Sequence, residues 1–257
     1  MLLCADIGNT NINYGCYSGD ELRMLERVYT DRNRTAVQYC VELRDILVLN
    51  GIDPSSIDGS IVGSVVPEAC ASVSAAIEML TGKAPLIVGP GTKTGLDIRI
   101  DVPSETGADL VAAAVAVKAK YPLPCVIIDM GTATTLTAID AAGCFIGGAI
   151  LPGLKISLNA LVGKTSLLPD IALSAPDRVI CGSTSDCMIS GIIYGTASML
   201  DGMIAKFRTE LGGSCSVVST GGLSRQVTGY CTEKVIQDDN LVVDGLRLIY
   251  ERNSRKK

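Results

Sequence analysis

Two short stretches of the chain carry residues of the kind that handle phosphate. The first is Asp6-Ile7-Gly8-Asn9-Thr10-Asn11 and the second is Asp129-Met130-Gly131-Thr132. In each, an acid closes an apolar run, a glycine follows two residues later, and hydroxyl or amide side chains come next. Glycine lets successive backbone N–H groups approach phosphate oxygens, and Asn9, Thr10, Asn11 and Thr132 add further donors. Asp6 and Asp129 are hard oxygen ligands of the sort that Mg2+ or another cation uses together with nucleotide phosphates. Taken singly, an Asp-x-Gly turn suits an ordinary hairpin whose acid serves local hydrogen bonds. The two copies, 123 residues apart, are what favour phosphate binding.

A third acid, Asp109, follows Gly107 and Ala108 at the head of an Ala- and Val-rich run. An acid in the first turn of a helix is favoured by the helix dipole alone. The chain contains no His, however, so a phosphoryl transfer to a hydroxyl must find its proton acceptor elsewhere, and Asp fills that role in kinases. Without His, Ser-His-Asp triads and His-ligated zinc or haem are excluded as well. Thr220-Gly221-Gly222 closes a late apolar strand. It suits either a turn that lets a flat ring approach the backbone or a plain strand-to-helix turn. Three other matches fail. Gly163-Lys164-Thr165 ends like a P-loop, but Leu158 stands where that loop needs its first glycine. Gly89, Gly91 and Gly95 have the wrong spacing for a dinucleotide fingerprint, and residues 96–102 read as extended rather than helical. Ile7 and Met130 occupy the position where an aspartic protease carries Ser or Thr.

The elements that must position these residues follow from hydrophobic period and turn chemistry. Residues 1–6 read as a strand, 7–11 as a tight turn, 12–17 as a second strand and 25–29 as a third. A helix is predicted over 35–50, a strand over 59–66 stopped by Pro67, a helix over 68–80 and a strand over 86–88. A helix over 108–120 then leads into a second apolar strand at 125–129, followed by extended runs at 134–139 and 144–150. The opening pattern thus recurs, and the late strand 217–222 parallels 61–67. A repeat near half the chain length predicts two similar α/β halves, 1–118 and 119–257, with a cleft between them.

Composition sets the outer limits. The 257 residues are 47% apolar and 19% charged, as in a globular protein. A net charge of −5 argues against nucleic-acid partners. The cluster Arg252, Arg255, Lys256 and Lys257 reads as a solvated tail. The longest charge-free stretches, 141–154 and 187–200, are 14 residues long, short of the roughly 18 needed to span a membrane, so no membrane association is expected. The ten cysteines include no CxxC pair and many sit in apolar runs, and no charged leader begins the chain. A reduced, cytoplasmic protein is expected.

Read in order, DIGNT from Asp6, IVGPGTKTGL from Ile87, P-x-x-x-GAD from Pro103, DMGTATT from Asp129, GGAILPG from Gly147, the segment from Thr184 to Gly191, TGG from Thr220 and GLRLIYERN from Gly245 form a set. With these motifs the chain resembles type III pantothenate kinases, members of the acetate and sugar kinase, heat-shock chaperone and actin superfamily. The resemblance implies an α/β fold of two duplicated ribonuclease H-like (actin-like ATPase) domains with a nucleotide cleft between them. It also implies ATP-dependent phosphorylation of pantothenate to 4'-phosphopantothenate, the first step towards coenzyme A, in a cytoplasmic homodimer using Mg2+ and a monovalent cation, K+ or NH4+. By the same resemblance Asp6, Ile7, Gly8, Asn9, Thr10, Asn11, Ile12, Asn13 and Thr132 contact ATP, and Asp129 holds the monovalent cation. Asp109 is the proton acceptor, Gly107, Ala108, Asp109 and Leu110 line the pantothenate pocket, and Thr184 binds substrate across the dimer interface. The chain departs from the family pattern at Leu110, where Arg is usual, at Ile100, where an aromatic is common, and at Cys181, where Gly is usual. These departures lie on the acceptor side, so a kinase of another small hydroxylated acceptor is the alternative. A nucleotide-binding regulatory relative is a third reading.

Overall fold

In the computed structural model, which describes residues 1–163, 171 and 173–254, the first sheet is built around β1 (Leu2–Ile7). It pairs antiparallel with β2 (Asn11–Ser18), which pairs antiparallel with β3 (Glu21–Tyr29). The chain then forms α1 (Ala36–Leu49), whose Thr35 and Gln38 make a reciprocal capping box, and returns as β4 (Gly59–Ser64), parallel to β1. Next come α2 (Pro67–Thr81), ended by the left-handed Gly82, and the short β5 (Leu86–Ile87). The sheet order is β3-β2-β1-β4-β5. β1 is buried along almost its whole length, which is why it reads as one apolar run rather than as an alternation. Leu43 and Leu47 of α1 and Val73 and Ile77 of α2 join Leu3, Ala5, Ile7 and Ile12 in the core.

The short β6 (Asp97–Ile98) and the helix α3 (Ala108–Lys120) lead into the second sheet. This sheet is centred on β7 (Cys125–Met130), with β8 (Ala133–Ile139) and β9 (Cys144–Pro152) as its antiparallel meander. After α4 (Leu154–Gly163) and the 27-residue α5 (Thr184–Glu210), β10 (Ser216–Thr220) joins β7 in parallel. A one-turn helix, α6 (Arg225–Thr228), and β11 (Ile236–Gln237) follow, and α7 (Leu241–Ser254) ends the described chain. The order β11-β10-β7-β8-β9-β6 repeats that of the first sheet and adds one strand at its edge. The extended stretch expected after Gly95 supplies that strand, through Asp97 paired with Cys144.

The repetition reaches fine detail. β3 bulges at Arg23, opposite the Cys16–Tyr17 step of β2, and β9 bulges at Ile146, opposite the Ala138–Ile139 step of β8. Asp6 pairs with Asn13 while Asp129 pairs with Thr135, so the first turn is one residue longer and the bulges fall at matching places.

Two compact units emerge, one of Met1–Leu96, Asp101–Ala119 and Asn240–Lys257, the other of Asp97–Ile100 and Lys120–Asp239. Compared with a contiguous division at 118/119, α7 crosses back to the first unit, where it packs on β1, β2 and β4. It does so because Gly245 presses directly on the Ala112 backbone of α3, where any Cβ would clash, and because Leu246 and Ile249 are fully buried.

In the second unit, Ile189, Ile193, Ala197, Leu200 and Ile204 of α5 form one seam of the core. By length and composition alone α5 would suffice to cross a membrane, but it carries Asp186, Asp201, Lys206 and Arg208, and its apolar seam is packed in the core. Lys164 and Thr165 of the P-loop-like match, and Arg255, Lys256 and Lys257 of the basic tail, lie outside the described residues.

Candidate active site

In the first unit, β1 delivers Asp6 to the end of the sheet, where it is only 8% exposed. Asn13, its partner across the hairpin, donates from Nδ2 to Asp6 Oδ2 at 2.9 Å, and Arg27 Nε on β3 donates to Asn13 Oδ1 at 3.0 Å. A guanidinium can only donate, so it claims the amide oxygen and leaves the NH2 group for Asp6. The turn itself is latched by the segment that follows β3. Thr30 donates from Oγ1 to the Gly8 carbonyl at 2.7 Å and from its N–H to the Thr10 carbonyl at 3.0 Å. Arg32 donates to Asn9 Oδ1 at 3.0 Å, which turns the Asn9 NH2 outward. Asn9 and Thr10 are exposed and Asn11 is half-buried. Ile7 and Ile12 have side chains fully buried in the core, so only their backbones border the turn. Sequence reading missed Arg27, Thr30 and Arg32. The signal was the hairpin register, which pairs Asn13 with Arg27.

The same end of this sheet receives the head of α3. Gly63 of β4 pairs with Asp6, and a Cβ built on Gly63 would lie 3.6 Å from the Ala108 Cβ. Val65 donates its N–H to the Ile7 carbonyl at 3.1 Å, and its side chain lies 3.3 Å from the Cβ position of Gly107. One strand therefore separates the Asp6 turn from Gly107, Ala108, Asp109 and Leu110. The Asp109 carboxylate folds back over Gly107, where a Cβ would stand 2.4 Å from Oδ1, and accepts the Leu110 N–H at 2.8 Å. Burial pushes the Asp109 carboxyl above the usual aspartate range, opposed by N–H donors from Leu110 and from its own residue. A carboxylate so placed is a stronger base than a solvated one. Thr106 Oγ1, just before it in the chain, is buried without a hydrogen-bond partner among the described residues.

In the second unit, β7 carries Asp129 to the equivalent position, paired with Thr135 and Thr220. Two glycines of the recognised motifs close on this turn. A Cβ on Gly153 would stand 2.1 Å from the Thr132 carbonyl oxygen, and one on Gly221, at φ +95, would stand 2.6 Å from the Met130 backbone. Thr220-Gly221-Gly222 is thus a strand-to-helix turn whose glycine is demanded by close backbone approach. Thr132 is exposed at the tip, while the hydroxyls of Thr134 and Thr135 are buried without partners among the described residues. Thr184 is the exposed first residue of α5, behind the N-cap Ser183. The structure therefore gathers Asp6 to Asn13 with Gly107 to Leu110 in one unit, and puts Asp129, Thr132 and Thr184 in the other. No cluster of three metal-ligating side chains occurs among the described residues. A cation here would draw on single carboxylates and on substrate oxygens, which suits Mg2+.

A family model described as type III pantothenate kinase matches residues 2–206. The chain is 41% identical over 256 residues to a type III pantothenate kinase of Moorella thermoacetica, with 99% of this chain and 100% of the relative covered. It is 42% identical over 253 residues to one of Roseiflexus castenholzii, with 98% and 99% covered. Among solved structures, (R)-2-hydroxyglutaryl-CoA dehydratase component A of Acidaminococcus fermentans gives a TM-score of 0.57 at 13% identity over 99% of each chain. A ROK family glucokinase of Streptomyces griseus gives 0.52 at 12% identity over 98% of each chain. These two speak for the fold alone, a two-domain actin-like ATPase fold shared with sugar kinases. On the family match and the two near-complete relatives, the chain belongs to the type III pantothenate kinase family.

Proposed function

We propose that the protein transfers the γ-phosphoryl group of ATP to the primary hydroxyl of pantothenate, the step that opens coenzyme A biosynthesis. The observation that carries this reading is Asp109, a carboxylate with a burial-raised pKa, set one strand from a phosphate-type turn. Asp109 accepts the hydroxyl proton as the oxygen attacks the γ-phosphorus, and ADP leaves. Backbone N–H groups and the Asn9, Thr10 and Asn11 side chains of the first turn, with Thr132 of the second, hold the phosphates. Mg2+ supplies charge neutralisation on the transferring group when bound. Asp129 serves a monovalent cation such as K+, and the buried Thr134 and Thr135 hydroxyls on the strand paired with it supply the oxygen chemistry such an ion needs. Gly107, Ala108, Leu110 and Thr184 take the acceptor. A cytoplasmic homodimer is the working form.

The test is ADP release with pantothenate and ATP, with and without K+. Asp109→Asn is expected to lower turnover by about 10²–10⁴-fold, the usual contribution of a positioned general base; retained turnover would remove the residue from this role. Leu110, uncharged where the family carries Arg, favours a second reading in which another small hydroxylated compound is the acceptor. A panel of polyols and nucleosides decides between them, because preference for pantothenate over all of them ends the second reading.

A further inference from the structure

The head of α5 carries two thiols that have no part in phosphoryl transfer. Cys181 stands two residues before the N-cap Ser183, and Cys187 donates its N–H to the Ser183 carbonyl at 2.9 Å as the first helical bond. Ser183 Oγ accepts the Asp186 N–H at 3.1 Å, which folds the preceding chain back over the first turn. As a result Cys187 Sγ donates to the Cys181 carbonyl at 3.3 Å, while Cys181 Sγ donates to the Arg178 carbonyl at 3.1 Å. A carbonyl oxygen lies about 2.4 Å from its own Cα, so the Cys187 sulfur is within about 6 Å of the Cys181 Cα. The Cys187 sulfur thus points at the Cys181 backbone, and rotation about the two Cα–Cβ bonds turns the sulfurs toward each other. Cys187 is also the one exposed thiol of the ten, whereas Cys4, Cys16, Cys125 and Cys144 are buried. Burial pushes Cys16 up to about 11, Cys125 up to about 12 and Cys231 up to about 11, which keeps those thiols protonated and inert.

We infer that Cys181 and Cys187 form a reversible intrachain disulfide around Thr184, which makes the head of α5 a redox-sensitive site. With a peroxide as oxidant, the Cys187 thiolate attacks one peroxide oxygen, the O–O bond breaks and water leaves, giving a sulfenic acid. The Cys181 thiolate then attacks that sulfur, the S–O bond breaks, a second water leaves and the S–S bond forms. Two thiols lose two electrons and the peroxide is reduced to two waters; a dithiol reverses the change by exchange. Both S–H···O bonds are lost, and Thr184 is held inside the closed loop. The effect on acceptor binding rests on the place proposed above for Thr184.

The test treats the whole protein with hydrogen peroxide and cleaves it with trypsin without reduction. Both cysteines fall in the peptide between Arg178 and Lys206, which is expected to lose the mass of two hydrogens and to regain it with dithiothreitol. In parallel, KM for pantothenate is expected to rise several-fold on oxidation of the natural protein, with KM for ATP unchanged, and to stay constant in Cys181→Gly and Cys187→Ser. An unchanged peptide mass, a sulfinic acid, a link between two chains, or an equal KM response in Cys187→Ser would each overturn the inference. The mass readout needs no substrate. A disulfide in a protein that ignores pantothenate counts against the proposed acceptor alone, and turnover without a disulfide counts against the redox site alone.

Discussion

The amide of Asn13 is symmetrical in shape and becomes directional only because Arg27 occupies its oxygen. Arg27 is exposed, so its value to global stability is small, and its effect falls on how Asp6 is held. Arg27→Ala is expected to raise KM for ATP by about two- to tenfold, corresponding to a net hydrogen bond of roughly 0.5–1.5 kcal/mol, with Tm unchanged. Arg27→Lys restores a donor without the guanidinium plane and should rescue only part of the loss; an unaltered KM in Arg27→Ala would show that Asn13 orients itself. Asp109 obeys the opposite logic. Its folded pKa is raised by burial, so ionisation costs the folded state stability, a penalty absent below the ordinary aspartate pKa and complete above the raised one. Asp109→Asn should therefore raise Tm at neutral pH while turnover collapses, and the natural enzyme's kcat/KM should fall with acid at a pH above the ordinary aspartate range. Thermal melts and a pH–rate profile check both. Asp109 could be singled out in sequence because the lack of His narrows the choice of base, and the pH–rate profile tests that role. The arginines were not, since their role is set by hairpin register rather than by spacing along the chain.

Elements fix what single residues cannot. β1 and β7 could be read from apolar runs ending in acids, and the helices from their periods, but the reason for several glycines appears only where two backbones meet. Gly153 and Gly221 approach the Asp129 turn from separate elements, with their Cβ positions 2.1 Å from Thr132 and 2.6 Å from Met130. Gly221 also needs a positive φ. Gly221→Ala should cost about 2–4 kcal/mol, summing left-handed strain and overpacking, and should depress turnover by shifting Met130 and the turn that follows. Gly229→Ala is the control, because the Arg225 carbonyl oxygen lies 4.0 Å from its Cβ position and its φ is −66; its stability should move by no more than about 0.5 kcal/mol. Urea melts on the two variants separate the cases, and equal stability would mean that the turn yields more easily than the static contacts indicate.

At the scale of the molecule, the duplication was visible as an offset of 123 between two Asp-x-Gly turns, and the structure extends it to strand order and to the matching bulges in β3 and β9. The return of α7 to the first unit was not visible, because its attachment depends on Gly245 meeting Ala112, a long-range contact with no local signature. The proposed homodimer likewise depends on a surface rather than on a sequence pattern. Opposite its core seam, α5 exposes Gly191, Gly195, Ser198 and Gly202 on one stripe, and a Cβ at each of the three glycines would meet nothing within 4 Å. The stripe has no charge between Asp186 and Asp201, and small side chains would let the backbone of a second copy approach closely. Gly195→Glu places a carboxylate at its centre without touching either core, so the folded unit and its Tm should persist while association weakens. Sedimentation at assay concentrations is expected to give a dimer for the natural protein and a monomer for the variant. A monomeric natural protein would end the dimer proposal, and a variant that still dimerises would move the interface to another face. If Thr184 also takes substrate across that interface, the monomeric variant should show a raised KM for pantothenate with KM for ATP preserved, because the ATP turns lie on elements other than α5.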